Sequence, residues 1–81
     1  VSLELNIIGL HVEEAMYEVS KYISNCKLKN FKQVRIIHGF GSGALRKAVH
    51  DYLRKQKGIS FRLGGEYEGG GGVTVVTFND W

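Results

Sequence analysis

The sequence predicts an α/β domain, a two-layer β-α-β-α-β-β sandwich in which two helices pack on a small mixed sheet. Three observations carry this. Short runs with β-branched residues alternate with longer segments of helical period, an order that implies parallel strands joined by right-handed crossovers. Glycine separates the first two strands from the helices that follow them. The last strand is reached through a glycine-rich loop with no helix, so it turns back and pairs antiparallel or at an edge.

Each element has its own signal. In residues 3–8, LELNII, Leu3, Leu5 and Ile7 alternate with Glu4 and Asn6, and Gly9 ends the strand. A helix is expected from Val12 to Lys27, with Val12, Ala15, Met16, Val19, Ile23 and Cys26 forming one apolar stripe. Glu13 and Glu14 suit its N-terminal dipole, and Lys27 and Lys29 suit its C-terminal end. Residues 33–38, QVRIIH, form a second strand through Val34, Ile36 and Ile37. A second helix is expected from Ala44 to Lys57, with Leu45, Ala48, Val49, Tyr52 and Leu53 inward and Gly58 as its stop. Residues 60–63 and 73–78 are the last two strands. Tyr17, Tyr22 and Tyr52 are expected in the core or at its edge.

Eighty-one residues make one domain, residues 1–81, with a single core. The chain begins with Val1 and is expected to be the C-terminal fragment of a longer protein. One cysteine, Cys26, excludes an internal disulfide, and the absence of bridges in so small a domain points to the cytoplasm. No apolar run reaches the length of a membrane span, and no secretory signal is present. Between Arg35 and Arg62 lie Arg46, Lys47, Arg54, Lys55 and Lys57, opposed only by Asp51. That asymmetry suits a polyanionic partner and is equally compatible with a solvated surface.

The strongest local feature is IIHGFGSGALRK, residues 36–47, where Gly39, Gly41 and Gly43 alternate after His38. Glycine is costly in ordered chain. Here the glycines either serve a tight strand-to-helix turn or let the backbone approach a ligand. The turn feeds a helix N-terminus, whose unpaired N–H groups and dipole favour an anion. Arg46 and Lys47 follow in the first helical turn, placed to contact a phosphate. The turn lacks the GxxxxGK[ST] of a P-loop and the G-x-G-x-x-G of a dinucleotide fold. Arg46, His50, Arg54 and Lys57 recur at i, i+4, i+8 and i+11, a basic ridge that tracks a nucleic-acid backbone without reading its sequence. No aromatic residue interleaves with this ridge, so no stacking platform is expected.

The motif HGFGSGALR resembles that of the Smr (small MutS-related) domain, most closely the copy at the C-terminus of the second bacterial MutS family. His38, Gly39, Gly41, Gly43, Leu45 and Arg46 match its HGxGxGxLR. LNIIG, residues 5–9, stands where the family has LDLHG or LDLRG, followed by Glu14 and Ala15. Gly69, Gly70, Gly72, Thr74 and Val76 match a glycine-rich loop before a TxV strand. The resemblance implies DNA or RNA binding and sequence-nonspecific DNA endonuclease (nicking) activity, tied to suppression of recombination. It implies a longer parent with an ATPase, MutS-like and dimeric region. The alternative it leaves is a non-catalytic module that delivers its parent to branched DNA or to a ribosome. Asn6 replaces the family Asp and Ile8 the His or Arg, which favours that alternative. No intrinsic cofactor and no metal ligand are expected, and a divalent Mg or Mn ion from solution is the one external helper to consider.

The catalytic candidates are His38, Arg46, Asn6 and His11. His38 is either an acid/base or a residue that holds the turn. His11 is a second proton carrier or a helix-entry residue. Arg46 stabilises charge on a phosphorane-like transition state. Glu4, on the strand face of Asn6, is a weaker stand-in for the family carboxylate. The nucleic-acid-binding candidates are Gly39, Gly41, Ser42, Gly43, Lys47, His50, Arg54, Lys57, Gly70 and Gly72. Among them Ser42 is expected to cap the second helix. The loop GGEYEGGGG is a flexible hairpin link or a flap that closes over nucleic acid.

Overall fold

The computed structural model describes residues 1–79, and its elements run β1 (Glu4–Asn6), α1 (Val12–Leu28), β2 (Gln33–Ile37), α2 (Ala44–Arg54), β3 (Ile59–Leu63) and β4 (Val73–Phe78). A single 3₁₀ turn, Gly70–Gly72, precedes β4. The sheet order is β1-β2-β4-β3; β1 is parallel to β2, and β4 is antiparallel to both its neighbours. The expected antiparallel turn-back is present, but β4 is central, not an edge. Its residues explain this: Val73, Thr74, Val75, Val76 and Phe78 are all buried, and a strand buried on both faces belongs between two others.

Both helices cover one face of the sheet. Ala15, Val19, Tyr22, Ile23 and Cys26 of α1 and Val49 and Leu53 of α2 meet Val34, Ile36, Val76 and Phe78 from the strands. The stripe of α1 is rotated from the expected one. Val12 is 41% exposed, and Tyr22 takes an inward place, its hydroxyl donating to the Ser2 carbonyl at 2.6 Å. Tyr17, expected inside, lies on the outer face of α1 beneath Lys21. Helix α2 stops at Arg54 and does not reach Lys57, because the amides of Lys55 and Gln56 bond three residues back, to Tyr52 and Leu53, and tighten the last turn.

The open face of the sheet carries charge. Register puts Glu4 opposite Arg35, and the two side chains form an ion pair. Arg35 and Arg62 flank Val75 in register, on either side of the central strand. Glu68 accepts from both guanidinium nitrogens of Arg62, at 2.7 and 2.9 Å, and from the Gly65 amide at 2.8 Å. The glycine-rich loop is therefore tied to β3, and Gly64 and Gly70 add backbone bonds to Val73 and Gly65.

The Arg62 side chain and then the Gly65 amide hold the Glu68 carboxyl down from 4.5 to about 2. A depressed carboxylate stabilises the fold above its unfolded pKa and loses that contribution as pH falls toward the folded value. Wild-type thermal stability is thus expected to decline between about pH 4.5 and 2. Glu68→Gln should flatten that part of a melting-temperature profile, and an unaltered slope would remove the pair as its cause.

Candidate functional site

Two loops meet at the end of the parallel pair β1–β2. One runs from Ile8 to Val12 and the other from His38 to Arg46, and together they line a cleft of about 380 Å³. The second loop hangs on the residues before β4. The amides of His38 and Gly39 both donate to the carbonyl of Gly72, at 3.0 and 2.9 Å. Gly72 is buried, and a Cβ there would sit 3.0 Å from the Phe40 ring, so any side chain would press that ring outward. Gly72, expected to bind nucleic acid, is thus a strut behind the turn, and Gly70 belongs to the same 3₁₀ turn outside the cleft lining.

The turn ends on Gly43, the N-cap of α2, in a left-handed conformation (φ 86°). Ser42 is not the cap, since its neighbour takes that position. Its hydroxyl instead accepts from the Ala44 amide at 3.3 Å. The Gly43 amide donates to the Phe40 carbonyl. Among the described residues, the amides of Phe40, Gly41, Ser42, Leu45 and Arg46 have no acceptor in the protein. The N-terminus of α2 also has no acid in its first turn. Arg46 and Lys47 are there instead, against the helix dipole, a local conflict that an anion would relieve.

The two cations differ. Asp51 accepts from Lys47 at 2.9 Å and from Arg54 at 2.7 Å, so both are partly neutralised. Arg46 has no carboxylate partner among the described residues. Its guanidinium curls over Gly43, Nη2 lying 3.2 Å from where a Cβ would be, and it lines the cleft. Of the expected basic ridge, Arg54 is exposed over the Phe61 ring at 5.9 Å. Lys57 lies beyond the helix, in a separate cleft with Lys27 and Asn79. His50 turns inward. The ridge is therefore not continuous, because the helix ends early and one of its faces packs on β3.

The inward histidine belongs to a chain of hydrogen bonds. His38 is 4% exposed, Thr74 is fully buried, and Thr74 Oγ1 lies 2.8 Å from His38 Nε2 and 2.7 Å from His50 Nε2. His38 Nδ1 is 3.0 Å from the Gly39 carbonyl. A carbonyl only accepts, so Nδ1 of His38 carries the proton and its Nε2 accepts from the Thr74 hydroxyl. Thr74 then accepts from Nε2–H of His50, whose ring rests against Phe61 with centroids 4.8 Å apart. Burial, and then the nearby His38, Arg54 and Arg46, push the His50 pKa down, against a smaller opposite pull from Asp51. Both ring nitrogens of His38 are engaged, so of its two expected roles the geometry matches holding the turn. His50 is not part of an exposed ridge.

His11, in contrast, is exposed at the N-terminus of α1, makes no capping bond, and lines the same cleft as Arg46. Asn6 does not reach that lining, and its Oδ1 accepts from the Ile8 amide at 2.9 Å. Glu4, the other acid considered, is held by Arg35. The donor set does not fit a divalent cation: no carboxylate lines the cleft, and among the described residues no three His, Cys, Asp or Glu side chains come together. Sequence reasoning missed Thr74 as the hub of the histidine chain, and it missed Phe40, exposed inside the glycine turn at the cleft.

The Smr domain family model matches residues 5–79. Endonuclease MutS2 of Bacillus cytotoxicus is 53% identical over 77 residues, 94% of this chain and 10% of that protein. Its counterpart from Bacillus thuringiensis is 52% identical over the same share. The chain thus spans about a tenth of the length of these relatives. The crystal structure of the Smr domain of Thermus thermophilus MutS2 superposes with a TM-score of 0.89 at 39% identity, covering 93% of this chain and 95% of that one. YdaL, a stand-alone small MutS-related protein from Escherichia coli, shares the fold, with a TM-score of 0.90 at 24% identity over 96% of this chain and 65% of its own. No helix among the described residues is long and apolar enough to cross a membrane.

Proposed function

Because this chain belongs to the Smr domain family, we propose that it is a nucleic-acid-binding domain that nicks DNA without regard to sequence. One observation carries the reading. A single cleft joins amides at the start of α2 and a guanidinium on Arg46, neither with a partner among the described residues, to an exposed imidazole on His11. The amides of Leu45 and Arg46 and the Arg46 side chain hold a backbone phosphate. Water attacks phosphorus as His11 takes its proton, and the bond to the leaving oxygen breaks. That oxygen takes a proton from solvent water, His11 returns its own proton to solvent, and the charge gathered on the non-bridging oxygens is met by Arg46 and the amides. The name endonuclease, carried by relatives above 50% identity, supports the same chemistry. In a longer, dimeric parent with a MutS-like ATPase region, such cuts would act on recombination intermediates in the cytoplasm.

A second reading, a binder of DNA, RNA or the ribosome that does not cut, is favoured by one feature. Asn6 stands where the family motif has Asp, its side chain is spent on the Ile8 amide, and no carboxylate lines the cleft.

A supercoiled plasmid incubated with the purified domain separates the two. Nicking predicts relaxed circles, and Arg46→Ala is expected to slow their appearance by about 10²- to 10³-fold. Absence of relaxed circles with the folded wild-type domain would leave the binding reading standing.

A further inference from the structure

The phosphate seat accounts for only part of the cleft lining. Exposed apolar side chains belong to it as well: Phe40 is 69% exposed, Ile8 56% and Val12 41%, and all three line the cleft. Apolar surface gains nothing from a phosphate. It calls for a ligand that carries a flat, apolar face next to its anionic group.

Phe40 is held to receive such a face. Its ring lies against the backbone of the 3₁₀ turn, where Cβ atoms on Gly71 and Gly72 would sit 3.4 and 3.0 Å from it, while most of the side chain stays open to solvent. Its carbonyl accepts from the Gly43 amide, which ties the ring's own residue to the cap of α2. Ile8 packs at Gly39, within 3.2 Å of where a Cβ would be, and so brings a second apolar group to the other loop's edge. The charge at the cleft selects an anion: among the described residues Arg46 has no carboxylate partner and no carboxylate lines the cleft, and the chain carries a net charge of +3.

We propose that this cleft binds an unpaired nucleotide, its base stacked on the Phe40 ring and its phosphate at the start of α2. The proposal rests on the phosphate-seat reading of the same cleft. A base inside a continuous duplex has both faces covered by its neighbours and cannot meet Phe40. A nucleotide in a single strand, or one turned out of the stack, has a free face. Stacking on an aromatic ring tolerates any base, in keeping with binding that ignores sequence.

The test uses three twelve-residue oligomers, namely oligothymidylate, oligouridylate and a deoxyribose-phosphate strand without bases, measured by titration at low salt. Oligothymidylate or oligouridylate is expected to bind about 10- to 100-fold more tightly than the baseless strand. Phe40→Ala should bring that affinity down to the baseless level, and Phe40→Trp should retain the preference. Loss of the better binder's advantage in Phe40→Ala supports the site whichever of the two oligomers it is. A preference for bases that survives Phe40→Ala, with circular dichroism showing an intact fold, would overturn the stacking site while leaving the phosphate seat in place. Failure of all three strands to bind the wild-type domain would overturn both.

Discussion

A His11→Ala domain is expected to nick supercoiled DNA about 10²- to 10⁴-fold more slowly than wild type, with its affinity for DNA little changed. The expectation comes from access. An imidazole changes charge near neutral pH and can move a proton only to an atom it can reach. His11 stands exposed at the entry to α1 and faces the cleft; His38 has Gly39 on one nitrogen and Thr74 on the other. His38→Ala should therefore act through the fold. It lowers the unfolding midpoint, and the nicking rate per folded molecule stays near that of wild type. The reverse pattern, a stable and inactive His38→Ala beside an active His11→Ala, would return the proton to His38 and refute the assignment.

Thr74→Val is expected to cost about 2 kcal/mol of stability, although valine matches threonine in shape. The hydroxyl is hydrogen-bonded to both histidine rings, which meet edge to face with centroids 6.1 Å apart. Without it the Nε2 of His38, which is buried, loses its donor, and the Nε2–H of the half-buried His50 loses its acceptor. For a domain this small, such a loss corresponds to roughly 8–16 °C in melting temperature. Thr74→Ser keeps the hydroxyl and should recover most of the difference. A valine variant that melts with wild type would show that the rings find other partners. Nitrogen chemical shifts add an independent readout: wild-type His38 should carry its proton on Nδ1.

Much of this architecture was legible from residue patterns. Alternation in LELNII and QVRIIH marked β1 and β2, and the stripes through Val19 and Ile23 and through Val49 and Leu53 marked the buried faces of both helices. The turn that borders the cleft was legible because alternating glycines between a strand and a basic helix mark backbone that other residues avoid, and Gly39, Gly41 and Gly43 all take positive φ. What escaped was non-local. Helical spacing placed His50 in line with Arg46 and Arg54, but spacing does not say that β3 brings Phe61 against that side of the helix. An imidazole at position 38 looks the same whether it is free or bonded to a hydroxyl 36 residues away. Asn6 was a catalytic candidate, while its side chain is committed to the amide two residues ahead. Phe40, alone among glycines, belongs to no period and left no signal.

The place of β4 has a consequence for biogenesis. The strand at the middle of the sheet is the last of the four in the chain, so a ribosome delivers it after both of its neighbours. Until residues 73–78 leave the exit tunnel, β2 and β3 each present an unsatisfied edge, and the Gly72 carbonyl that anchors the glycine turn is absent. The nascent domain therefore passes through a window in which the glycine turn lacks its Gly72 anchor and the sheet is open to chaperones or to edge-to-edge aggregation. The cleft and the sheet are completed in a single late event.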